Sequence, residues 1–151
     1  VNVLFLDYDG VVNTVMWDKS GARCNYGYPM DNKVNNFQAV QWVSEFCEKF
    51  QYDIVVTSTW RFGDNYAECL MNGGLRHGIQ IIGRTPRLNA CRGEEIRAWL
   101  NEHPEVDNYI IFDDEADMGE LADHLVQCDE CYGFGMKDFE HAKKLHFRNA
   151  K

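Results

Sequence analysis

Val3-Leu4-Phe5-Leu6-Asp7-Tyr8-Asp9-Gly10-Val11-Val12-Asn13 is a short apolar run that ends abruptly in two carboxylates and a glycine. Such a run reads as a buried parallel strand delivering its acids to the carboxyl edge of a sheet. Gly10 permits backbone angles that a Cβ would resist, so the chain can turn sharply there. Two acids one residue apart in apolar surroundings require a partner. At about 4 Å and an effective dielectric of about 20, each charge pair repels by roughly 4 kcal/mol. That repulsion favours a raised pKa or a bound cation, and the cation is the preferred reading. A solvated Asp-x-Asp-Gly turn after an edge strand is the plainer alternative.

Downstream, residues 14–31 are rich in turn formers and aromatics, which predicts a flap or hairpin over the end of the first strand. Asn32 is a candidate cap for a helix in which Val34, Phe37, Val40, Val43, Phe46 and Phe50 largely keep an i, i+3, i+4 rhythm. Residues 53–60 form a second buried strand, β-branched and ending in the hydroxyls of Thr57, Ser58 and Thr59. A helix over 65–72 stops at Gly73-Gly74. A third strand, 79–82, runs into Gly83-Arg84-Thr85-Pro86, and a helix opens near Gly93 with Glu94 and Glu95 in its first turn. The fourth strand, 108–112, again ends in carboxylates, Asp113 and Asp114, with Asp117 close behind. A short helix near Glu120, a weak strand at 125–127 and a helix over 138–146 complete the chain. Strands alternating with helices predict an α/β fold, a parallel sheet covered on both faces, in a single domain over 1–151.

The chain has 151 residues, 45% of them hydrophobic, enough for a substantial core. A net charge of −9 excludes a sequence-wide basic footprint for wrapping nucleic acid or an anionic membrane, but not a nucleic-acid end as substrate. The charge is divided. Arg76, Arg84, Arg87, Arg92 and Arg97 crowd one segment, whereas no Lys or Arg occurs between Arg97 and Lys137. This predicts a phosphate-holding side set against a metal-holding side, or two ordinary solvated faces. Six cysteines without a secretory or long apolar segment read as reduced thiols in cytoplasm. Cys128-x-x-Cys131 lacks the second half a zinc site requires, and the five histidines show no ligand spacing.

Three strands thus end in chemistry: Asp7 and Asp9, Thr57 and Ser58, and Asp113 and Asp114. In an open parallel sheet, ligands bind outside the carboxyl ends of the strands, so these groups can converge. Asp7-Tyr8-Asp9-Gly10, Thr57-Ser58, Arg92-Gly93 and Phe112-Asp113-Asp114 resemble, in order, the four signature motifs of the haloacid dehalogenase (HAD) superfamily. More narrowly, Thr57-Ser58-Thr59-Trp60-Arg61, Gly83-Arg84-Thr85-Pro86, Arg92-Gly93-Glu94-Glu95-Ile96 and Ile111-Phe112-Asp113-Asp114-Glu115-Ala116-Asp117-Met118 are similar to the HAD domains of Swiss Army Knife RNA repair proteins.

The resemblance implies a HAD-like Rossmannoid three-layer sandwich and a phosphohydrolase. Asp7 would be the nucleophile that forms an aspartyl-phosphate, and Asp9 the general acid and base. Thr57 or Ser58 would hydrogen-bond a phosphoryl oxygen, and Arg92 would neutralise it, with Arg84 and Arg97 as nearby rivals. Asp113 and Asp114 would join Asp7 and the Asp9 carbonyl around Mg²⁺, with Asp117 a further candidate. The gaps between motifs are too short for a large cap domain, so the site would stay open and suit a phosphate on a large partner such as a nucleic-acid end or phosphoprotein. Arg61, Arg84 and Arg87 are candidates to hold neighbouring phosphates there. Two other readings use the same groups: a receiver-like phosphoacceptor, against which the Asp-x-Asp-Gly order argues, and a catalytically silent HAD-like binding domain.

Overall fold

The computed structural model describes residues 1–14, 36–63 and 65–149. Five strands, β1 (Asn2–Leu6), β2 (Tyr52–Val56), β3 (Ile81–Arg84), β4 (Asn108–Asp113) and β5 (Leu125–Gln127), form one parallel sheet of order β3-β2-β1-β4-β5. Helices α1 (Phe37–Phe50), α2 (Glu68–Asn72), α3 (Arg92–Asn101) and α4 (Met136–Asn149) connect or follow them, with 3₁₀ turns at Thr59–Phe62 and Gly119–His124. The α/β class and the two-sided covering expected from the sequence are both present. The chain lays down β1, β2 and β3 outward in one direction, then crosses to place β4 on the other flank of β1. That reversal makes a crevice at the carboxyl ends of β1 and β4, where such sheets bind ligands.

Alternation along β1 divides the core. Leu4, Leu6 and Tyr8 pack with Val40, Val43 and Phe46 of α1 and Phe139, Ala142 and Leu145 of α4. Val3 and Phe5 face the other way, onto Ile96 and Trp99 of α3 and onto Met118 and Leu121. Each such apolar side chain, when fully buried, contributes about 1.5–3 kcal/mol relative to exposure. The edges differ from the sequence reading in local ways. Asn36 is the α1 cap, its Oδ1 accepting from the Gln38 and Ala39 N–H groups at 3.0 and 3.4 Å. Asn32 and most of the expected flap lie outside the described residues. β2 ends at Val56 and gives way to a 3₁₀ turn, β3 begins two residues later than expected, and α2 is only a single short helix before Gly73. Among the described residues no helix is long and apolar enough to cross a membrane.

Candidate active site

Register assembles the site. Leu6 pairs with Val56 on one side and Phe112 on the other. One step further, the Asp7 N–H donates to the Phe112 carbonyl at 3.0 Å and the Thr57 N–H to the Leu6 carbonyl at 2.9 Å. Asp7 therefore emerges between Thr57 and Asp113, on strands about 4.8 Å apart. Tyr8 is fully buried between the two acids, its hydroxyl donating to the Tyr66 carbonyl at 2.6 Å. That anchor fixes the loop that follows β1.

Asp7, Asp113 and Asp114 each bring a carboxylate oxygen to within 4.8 Å of the others. Arg92, opening α3, sends Nη1 to Asp113 Oδ2 at 2.7 Å and to Asp7 Oδ1 at 3.0 Å. Asp113 is fully buried, and its Oδ1 accepts the Glu115 N–H at 3.0 Å. Three acids thus face one guanidinium. Burial, Asp113 and Asp114 together push the Asp7 carboxyl up to about 9 despite the opposing pull of Arg92. Burial and the contact with Asp113 raise Asp114 to about 6. A group short of positive charge, offering three hard oxygen donors, fits a small divalent ion such as Mg²⁺.

Two glycines permit this closeness. Gly10 has φ +83°, and a Cβ there would lie 2.5 Å from the Asp114 carboxyl carbon. At Gly93 a Cβ would meet the Met118 carbonyl at 2.6 Å, so α3 approaches the loop after β4 as nearly as backbone allows. Arg92 can reach Asp113 because of that approach.

Beside the carboxylates lies a second ionic group. Arg61 is 2% exposed. Its Nη1 donates to the Thr57 and Ser58 carbonyls at 2.8 and 3.0 Å, its Nε to the Thr85 carbonyl at 2.9 Å, and its Nη2 to Glu95 Oε1 at 3.0 Å and the Pro86 carbonyl at 3.3 Å. The other Glu95 oxygen accepts the Leu88 N–H at 3.0 Å. Arg61 was expected to hold substrate phosphates, but its donors are spent on protein acceptors, so it clamps the Thr57-Ser58 loop, the 85–88 loop and α3 together. Glu95 escaped the sequence reading, which took it as a first-turn helix acid. Its position on the buried face of α3 beside Ile96 and Trp99 was the available signal, since a carboxylate there must be paired.

The remaining expected residues scatter around this centre. Thr57 is fully buried, and its Oγ1 has no partner among the described residues; Ser58 is also buried. Asp9 is exposed and stands outside the three-carboxylate group, with Asn13 Nδ2 donating to its Oδ1 at 3.4 Å. Asp117 is exposed and also outside it. Arg84 donates to the Arg61 carbonyl at 2.6 Å and lies over the Tyr66 ring. Arg97 pairs with Glu120 at 3.2 Å on the surface. Cys128 and Cys131 are unbridged and lie outside the carboxylate group.

No curated protein and no solved structure matches the chain. Residues 3–139 match a family model described as the HAD domain in Swiss Army Knife RNA repair proteins. This span runs from β1 into α4 and takes in every side chain of the site. With acids at the ends of β1 and β4, a hydroxyl after β2 and a cation at the start of α3, the chain belongs to this HAD family.

Proposed function

We propose that the protein is a Mg²⁺-dependent phosphatase that hydrolyses phosphate monoesters through an aspartyl-phosphate on Asp7. The observation that carries this reading is the Asp7–Asp113–Asp114 group at the topological crossover, with Arg92 bonded to two of the three. An Asp7 carboxylate oxygen attacks phosphorus as the ester oxygen departs with a proton from the Asp9 carboxyl. The Asp9 carboxylate then takes a proton from water, whose oxygen attacks the acyl phosphate, releasing inorganic phosphate and restoring Asp7. Exposure suits Asp9 to this work, because it must exchange protons with leaving group and solvent. In this reading the Thr57 hydroxyl, buried and without a partner among the described residues, would donate to a phosphoryl oxygen, and Arg92 would supply fixed positive charge. Mg²⁺, held by Asp7, Asp113 and Asp114, would neutralise the charge that these acids and the phosphoryl group bring together.

The substrate in this reading is the phosphorylated end of a polynucleotide. Short spacing between the motifs leaves no length for a large cap, and RNA repair is the setting named in the family's description. Phosphate release is to be measured from an aryl phosphate and from 3′- and 5′-phosphorylated oligonucleotides, mononucleotides, phosphopeptides and sugar phosphates, with and without Mg²⁺. The expected result is Mg²⁺-dependent turnover with oligonucleotides preferred. Stable phosphorylation of Asp7 without turnover would point to a phosphoacceptor, and a preference for sugar phosphates would overturn the open-site argument.

A further inference from the structure

Two cavities meet at one pair of side chains. The first, of about 300 Å³, begins at Arg92 and is bounded by Phe62, Arg87 and Asn89, with Glu115 and Asp117 on its acidic wall. The second, of about 540 Å³, lies beyond and is lined by Arg84, Leu88, Trp99, Glu102 and His103. Phe62 and Arg87 line both. Phe62 ends the 3₁₀ turn that follows Thr57-Ser58, and 45% of this apolar residue is exposed. The buried Arg61 guanidinium packs 4.2 Å from its ring centroid, and the exposed Arg87 guanidinium lies 5.2 Å from it.

We propose that Phe62 and Arg87 form a nucleotide subsite, over which a single-stranded polynucleotide leaves the active site. This rests on the phosphatase reading above and names how its substrate is held. The nucleotide bearing the terminal phosphate occupies the first cavity, its base stacks on Phe62, and Arg87 takes the adjoining phosphodiester. Clamping by Arg61 fixes the turn that carries Phe62, which makes the ring a rigid platform. An exposed cation–π contact is weaker than base–aromatic stacking, so a base can displace Arg87 from the ring toward the backbone phosphate. Charge favours an exit toward the second cavity: Arg87 and Arg84 line it, while Glu115 and Asp117 line only the first. Stacking tolerates any base, so the subsite reads chain length rather than sequence.

The test compares mono-, di- and tetranucleotides carrying a terminal phosphate with an aryl phosphate, in wild type, Phe62→Leu, Phe62→Ala and Arg87→Gln. Phe62→Leu keeps bulk against Arg61 and loses the aromatic face, so it guards against a folding defect. KM is expected to fall about tenfold from mono- to tetranucleotide. The ratio of kcat/KM for the tetranucleotide to that for the aryl phosphate should fall about tenfold in each variant, and Arg87→Gln should flatten the salt dependence of KM. Equal KM values for mono- and tetranucleotide, or an equal loss on both substrate types, would overturn the subsite. Fluorescence anisotropy of a labelled tetranucleotide separates the two ideas. Binding that weakens in the variants, from a protein inactive on every phosphate, would sink the phosphatase reading and support the subsite.

Discussion

Two buried ionic groups share the carboxyl edge of the sheet, and they differ in whether their charges close. Around Arg61 every guanidinium nitrogen meets a protein acceptor, and Glu95 supplies the matching negative charge. Around Asp7 three carboxylates meet one arginine, and two of them have raised pKa values. The same residue types therefore serve different ends. A satisfied pair fixes geometry and adds no reactivity, whereas an unsatisfied group could hold a metal ion, which is the use the proposed function makes of it.

The largest expected effect breaks the unsatisfied group. Under the proposed function Asp7→Asn should lower aryl phosphate turnover by about 10⁴-fold or more, because it would remove the nucleophile of that mechanism while keeping the side chain's shape. Its metal-free Tm should equal or exceed that of wild type, since an amide at this buried position needs neither to ionise beside Asp113 and Asp114 nor to take up the proton that the raised pKa of Asp7 demands; a large fall in Tm would mean that Asp7 has a structural task. Glu95→Ala attacks the closed group and should show the opposite pattern. Leaving Arg61 buried without its counterion costs about 3–5 kcal/mol, measurable by urea denaturation. Activity should fall with it as the Thr57-Ser58 loop loosens, but Mg²⁺ should still raise the Tm.

A smaller effect comes from pH. In the metal-free fold Asp7 titrates at about 9 and Asp114 at about 6, above the ordinary value of 3.8. Between about pH 4 and 9 the folded state thus binds more protons than the unfolded one, and stability falls as pH rises. Tm measured from pH 5 to 9 with a chelator should drop by several degrees, and saturating Mg²⁺ should flatten the slope. A pH-independent Tm in the chelated protein would contradict the crowding of these acids. Smallest is the control outside both groups: Asn36→Ala removes the α1 cap and should cost about 1 kcal/mol in urea denaturation without altering the Mg²⁺ effect on Tm.

How much of this was legible in the chain depends on the range of each interaction. The strand ending in Asp7, the hydroxyls after β2 and the acids after β4 could be read directly, because an apolar run followed by polar residues is a local pattern. The α/β layering followed from the alternation of such runs with helical periodicity. Boundaries were less legible: β3 slid by two residues, and Asn36 rather than Asn32 caps α1, since several polar residues there can cap and packing selects among them. The arginines were legible only in part: the Arg92-Gly93 motif singled out Arg92, which the structure brings onto Asp7 and Asp113, whereas the clamp made by Arg61 had no local signature. As composition Arg61, Arg84 and Arg87 look alike, but burial commits Arg61 to the Thr57 and Ser58 carbonyls of its own loop, to the Thr85 and Pro86 carbonyls of a distant one and to Glu95, 34 residues away. Arg92 meets Asp7 and Asp113 only because Gly93 lets α3 close on the loop after β4. Residue type and local period determined which groups reach the sheet edge. Tertiary packing alone decided which charges are neutralised there, because a guanidinium's partners are set by whatever the fold brings within about 3 Å, and that distance is not written in any one segment.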